Sequence, residues 1–252
     1  MAARDDIVTF CAGFLAVDEF RDAAINGLQV EGRRSVERIA VAVSASQHTI
    51  EAALAWGADA LLVHHGLLWG ERLGPIVGPL RYRLKGLLAA DLNLLAYHLP
   101  LDAHSEIGNN ARLAAALGLN VVDRCAEVHG QPIGVIATPA EPTALTEIVA
   151  RLAGVTEREP LVLAGGPPLV GRVAIVSGSG YAALDEAAAA GCDALLTGDV
   201  RESTMALARE LGVTVVAGGH EATERLGVQA LAEVLEQEFG VETRFLPDPN
   251  PV

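Results

Sequence analysis

Two segments of this chain, Arg38–Leu62 and Arg172–Leu196, align without a gap at a constant offset of 134 positions. Arg38 falls on Arg172, Ile39 on Val173, Gly57 on Gly191, and Asp59-Ala60-Leu61-Leu62 on Asp193-Ala194-Leu195-Leu196. Each segment reads as an apolar strand, a short turn, a helix stopped by glycine and a second apolar strand. That is a β-α-β unit, and its strands are parallel. The offset is too long for a solenoid repeat, so it points to two related halves. Any fold of this chain must contain the unit twice.

The remaining elements extend that frame. The spacing predicts a helix over 5–20, a short strand after the Asn26-Gly27 turn, a loop over 70–78, a helix over 79–91, a strand over 92–97 and a helix over 108–119. In the second half it predicts a helix from Pro142 to Arg151, a strand over 211–217 and a closing helix stopped by Gly240. The chain is 51% hydrophobic but only 4% aromatic. A core of Ala, Val, Leu and Ile suits helices packed on a buried parallel sheet. The boundaries expected are 1–120 for the first α/β half, 121–170 for a connector that is partly strand and helix, and 171–252 for the second α/β half.

Charge and cysteine usage narrow the function classes. With 18 Lys+Arg against 32 Asp+Glu, the net charge of −14 argues against direct nucleic-acid binding and against anionic membrane surfaces. No apolar run approaches the ~18 residues of a membrane span. Cys11, Cys125 and Cys192 form no paired framework, so reduced thiols in a cytoplasmic protein are expected.

Chemistry gathers where the predicted strands end. The strand through Val63 runs into His64-His65-Gly66, the one through Tyr97 into His98 with Asp102 four residues on, and the one through Ala217 into His220 with Glu224 four residues on. In parallel α/β sheets functional groups collect at the carboxyl ends of strands. Five or six imidazole and carboxylate donors exceed the three that one catalytic zinc-type ion takes from protein. Two divalent ions would use them, and mixed His and carboxylate ligation suits Zn, Mn, Fe or Co. The repeat places Gly198-Asp199 where the first half has His64-His65, so the scaffold repeats while the ligand set does not. The expected fold is therefore α/β, with two similar pseudo-symmetric halves, largely parallel sheets and a metal cleft between them. His98 and Asp199 are candidates to assist a metal-bound water. Ser177, Gly178, Ser179 and Gly180, in a G-x-G-x-x-A turn, are candidate substrate contacts, as is His104.

Taken together, Asn26-Gly27-Leu28-Gln29-Val30, Val63-His64-His65-Gly66, His98 to His104 with Asp102, Thr197-Gly198-Asp199, Gly219-His220 and Thr223-Glu224 resemble the GTP cyclohydrolase I type 2 homologues, also called Ngg-interacting-factor-like dinuclear metal-centre proteins. The resemblance implies metal ligation by His64, His65, Asp102, His220 and Glu224. It also implies a ring-shaped homohexamer with its metal sites facing an inner cavity, and a small-molecule substrate, a purine nucleotide by the family's name. Longer members carry a domain inserted between the halves, for which a connector of ~50 residues leaves no room. Leu99 departs from the small polar residue many members have after that histidine. The function expected is a dinuclear metal-dependent hydrolase acting through a metal-bridging hydroxide. The alternative is a non-catalytic metal-binding regulatory or chaperone-like protein.

Overall fold

The computed structural model describes residues 1–70 and 74–252, so the loop expected over 70–78 lies partly outside the described residues. The protein is mixed α/β and forms two compact units. The first comprises Met1–Leu101 and Val228–Pro249, the second Asp102–Gly227 and Asn250–Val252.

The first unit is built on a five-stranded sheet in the order Glu242–Phe245, Arg38–Ser44, Ala60–His65, Asn93–Ala96, Gly27–Val30. All neighbouring pairs are parallel except the last. The central strands are buried along their length, Ile39 to Val43 and Ala60 to Val63 being at most 1% exposed, as parallel strands covered on both faces must be. The helix Gln47–Trp56 links two of them. Ser46 accepts from the Thr49 N–H and Thr49 reaches back to the Ser46 N–H, while Gly57, at φ 76°, ends the helix in the left-handed conformation. Ile50, Leu61, Leu87 and Leu94 meet in the core, each burial contributing about 2–3 kcal/mol.

The second unit carries a six-stranded sheet in the order Leu161–Leu163, Thr214–Ala217, Ala194–Thr197, Val173–Val176, Gln131–Thr138, Asn120–Val128. The three strands Thr214–Ala217, Ala194–Thr197 and Val173–Val176 run parallel and the outer pairs are antiparallel. Val173 and Ile175 pack into one cluster with Leu113, Ile148 and Leu152. Ala174 and Val176 pack into another with Leu184, Leu195 and Val213. Successive residues thus serve opposite faces of the sheet. Its parallel register sets Val173 opposite Ala194 and Ala194 opposite Thr214, while in the first sheet Ile39 lies opposite Ala60 and Ala60 opposite Asn93.

The observed units differ from the expected boundaries at 120 and 170. The stretch expected as a connector supplies three strands of the second sheet, because a hairpin over 120–138 extends it on one side and Leu161–Leu163 on the other. The terminal strand Glu242–Phe245, expected with the second half, pairs with Arg38–Val41 of the first sheet. Three elements also shift locally. The first helix covers Arg4–Phe14, the helix expected from Pro142 begins at Leu145, and the strand expected from 211 covers Thr214–Ala217. All three cysteines are buried, and burial pushes the Cys11 thiol up to about 12, consistent with core packing. No helix among the described residues is long and apolar enough to cross a membrane.

Candidate metal centre

Each unit presents its own set of donors. In the first, the strand Ala60–His65 carries both histidines at its carboxyl end, and the following Gly66 is required by packing. A Cβ there would overlap the Gln29 side chain, whose Oε1 accepts from the Leu67 and Leu68 N–H groups at 2.7 and 3.0 Å. Gln29 thereby fixes the turn that leaves the strand. His64 is fully buried and its Nδ1–H donates to the Tyr97 carbonyl at 2.9 Å. His65 lies opposite Ser44 in the sheet, and its Nδ1 hydrogen-bonds the Ser44 hydroxyl at 3.1 Å. His98 Nδ1 meets the Asp22 carboxylate at 2.9 Å. With Nδ1 engaged in all three rings, Nε2 is the nitrogen each could offer to a metal ion. One ring nitrogen from each of His64, His65 and His98 lies within 4.8 Å of the other two.

Burial opposes the charge on Asp22, yet the hydrogen bond and charge of His98, together with Asn26 and the Ala24 N–H, outweigh it and hold the carboxyl well below the usual range. Asp22 is therefore an anionic partner of the ring.

The second unit presents two carboxylates and an imidazole. Asp102 and Glu224 are 6% and 3% exposed, and one oxygen of each lies within 4.8 Å of the other. Asp102 is held by Asn109 Nδ2 at 2.8 Å and by the Ser177 hydroxyl at 3.3 Å. Asn109 and Asn110 are themselves buried: Asn109 Oδ1 accepts from the Gly227 N–H at 2.8 Å, and Asn110 Oδ1 from the Ser177 N–H at 2.7 Å. His220 sets its Nε2 3.3 Å from Glu224 and donates its Nδ1–H to Asp199 at 2.8 Å. The hydrogen bond to Glu224, working against burial and aided by Asp199, raises the His220 pKa to about 9. Two buried carboxylates this close require a compensating positive charge. In the metal-free protein the His220 proton supplies one.

The remaining expected residues make the following contacts. Asp199, a candidate to assist a metal-bound water, accepts from His220 and from the Ser179 hydroxyl at 3.0 Å, which is how carboxylates orient metal-bound imidazoles. Ser177 braces Asp102. Gly178, at φ 59°, leaves room for Glu224, with which an added Cβ would overlap. Gly180 packs against Val176 and Thr197. His104 Nδ1 accepts from the Glu106 and Ile107 N–H groups, both at 3.2 Å. His48 and His129 are exposed and belong to none of the donor clusters among the described residues.

Several residues had no sequence signal strong enough to mark them. Asp22 and Ser44 act through ring nitrogens of residues distant in sequence. The Asn109-Asn110 pair could have been found, since two amides opening a helix whose other residues, Arg112 apart, are Ala and Leu call for buried partners.

The donor set fits a divalent ion: imidazole nitrogens and carboxylate oxygens, oriented by carboxylates, a carbonyl and a hydroxyl, are the ligation preferred by Zn, Mn, Fe and Co. Residues 2–251 match the family model described as Duf34/NIF3 (NGG1p interacting factor 3). A Deinococcus radiodurans protein named GTP cyclohydrolase 1 type 2 homolog is 43% identical over 247 residues, spanning 98% of this chain and 94% of that protein. The solved structure of protein ybgI, described as of unknown function, superimposes with a TM-score of 0.94 at 40% identity and full coverage of both chains. TTHA1606 from Thermus thermophilus does so with a TM-score of 0.89 at 38% identity, again over both whole chains. With the family model matching residues 2–251 and relatives above 40% identity aligned over nearly the whole chain, this chain belongs to the Duf34/NIF3 (NGG1p interacting factor 3) family.

Proposed function

We propose that the protein is a dinuclear metal-dependent hydrolase, with His64, His65, Asp102, His220 and Glu224 as ligands of two divalent ions drawn from Zn, Mn, Fe or Co. The observation that carries this reading is the buried Asp102–Glu224 carboxylate pair beside an imidazole that Asp199 orients. That arrangement balances only with added positive charge. A divalent ion held by such donors lowers the pKa of its water to about 7 and so supplies a nucleophile at neutral pH.

In this reading Asp102 and Glu224 would hold the ions together with His64, His65 and His220. The Asn109 and Ser177 contacts hold Asp102 in place, and Asp199 keeps the His220 proton on Nδ1. Ser177, Gly178, Ser179, Gly180 and His104 are the candidate substrate contacts. The relatives' name suggests a purine nucleotide as substrate, and the family resemblance suggests a homohexamer.

One set of measurements tests the reading. Native mass spectrometry of protein loaded with zinc, manganese, iron or cobalt should show two ions per chain and a sixfold assembly. Hydrolysis of GTP or other nucleotides should fall by at least about 100-fold in His65→Ala and Glu224→Ala. Full metal occupancy without turnover of any nucleotide or phosphoester would favour a regulatory or chaperone-like metal protein. Fewer than one ion per chain under all loading conditions would defeat both.

A further inference from the structure

Asp22 lies in the segment before Asn26, its side chain only 2% exposed. Its Oδ1 accepts from the Ala24 N–H at 3.0 Å and from His98 Nδ1 at 2.9 Å. Its Oδ2 accepts from Asn26 Nδ2 at 3.0 Å and from the Leu99 N–H at 2.9 Å. Asn26 adds a second grip, since its Oδ1 accepts from the His98 N–H at 2.7 Å. A short loop thus clasps both the backbone and the ring of His98. Burying a carboxylate is a costly way to tie down a loop. What the carboxylate achieves that a neutral group would not is control of the imidazole proton.

We propose that Asp22 is a positioning residue for the metal centre: it keeps the His98 proton on Nδ1 and directs the Nε2 electron pair into the space shared with His64 and His65. The inference rests on the metal-binding reading above and extends it to a residue outside the ligand set. With N–H donors on both oxygens, Asp22 can only accept, so a neutral His98 must carry its proton on the nitrogen that faces it. The ring nitrogen of His98 then converges with those of His64 and His65 within 4.8 Å.

Asp22→Asn provides the discriminating change. Its amide keeps the shape but has one acceptor oxygen where donors surround both carboxylate oxygens. The partner able to respond is His98, by moving its proton to Nε2, which removes the electron pair from the shared space.

The experiment has two arms. In the first, imidazole nitrogen NMR of metal-free protein at pH 8 should show His98 as the Nδ1–H tautomer in the wild type and shifted toward Nε2–H in Asp22→Asn. A wild-type ring protonated on Nε2 overturns the proposal whether or not the variant folds. In the second arm, cobalt(II) and zinc(II) titrations should show about a 10- to 100-fold loss of affinity in Asp22→Asn. That loss should vanish when the same change is made in a His98→Ala background. Undiminished affinity in Asp22→Asn, or the same loss in both backgrounds, would overturn the proposal, the latter because Asp22 would then act through the fold. A wild type that binds no metal would defeat the proposed function, and the NMR arm would still decide the role of Asp22.

Discussion

Gly178→Ala is expected to cost on the order of 2–4 kcal/mol of stability and to lower metal affinity by at least about 100-fold. Two effects add. The backbone at φ 59° disfavours any residue with a Cβ by roughly 1–2 kcal/mol, and the new methyl would overlap the Glu224 carboxylate and approach His220 Nε2 at 3.1 Å. Neither side can yield. The Gly178 carbonyl accepts from the Gly198 and Asp199 N–H groups at 2.9 and 3.0 Å, and the Gly178 N–H donates to the Thr223 hydroxyl at 3.1 Å. Glu224, 3% exposed, has no solvent to retreat into. Gly191→Ala separates the two effects: its φ of 70° imposes the same backbone strain, but nothing lies within 4 Å of the added methyl. It should lose roughly 1–2 kcal/mol and keep its metal affinity. Urea unfolding and cobalt(II) titration of both variants read the difference. Wild-type affinity in Gly178→Ala would show that Glu224 does not depend on that loop.

How far the sequence reveals this arrangement depends on how local the determinants are. The paired strands and His64-His65 were legible because an apolar run, a capped helix and Gly57 act within about 25 residues. The hairpin over 120–138 was legible only in part, as strand within a connector and not as an extension of the second sheet. Asn120–Asp123 is exposed, as an edge strand can be, and a register shift between Val121 and Asp123 breaks the alternation that would reveal it. Glu242–Phe245 is four residues whose partner lies some 200 positions earlier, a pairing no local pattern can encode. Pro142 misplaced a helix start because Thr143 pairs with Val170 before the helix begins. At the site the donors stood out as residue types at strand ends. Asp22, Ser44 and Asn109, which orient them, are ordinary polar residues until the fold brings them to a ring or a carboxylate.

The metal-free protein should lose stability as pH rises from about 6.5 to about 9, by up to roughly 3 kcal/mol. The cause is His220, whose pKa the Glu224 hydrogen bond, against burial, raises to about 9 from an unfolded value of 6.5. Because the folded value is the higher one, the folded protein holds a proton that the unfolded chain has already released. The stabilisation is complete below pH 6.5 and disappears as pH passes through 9. With the carboxylate replaced, Glu224→Gln should carry His220 back down, since burial then opposes a charge that Asp199 alone supports, and the slope in this window should flatten. Urea midpoints from pH 6 to 10, measured with a chelator present, test this; identical slopes in wild type and Glu224→Gln would refute it. A bound divalent ion would replace the proton as the counter-charge to Asp102 and Glu224. Loaded protein should then be more stable than chelated protein most markedly at the alkaline end, where the proton no longer competes with the ion.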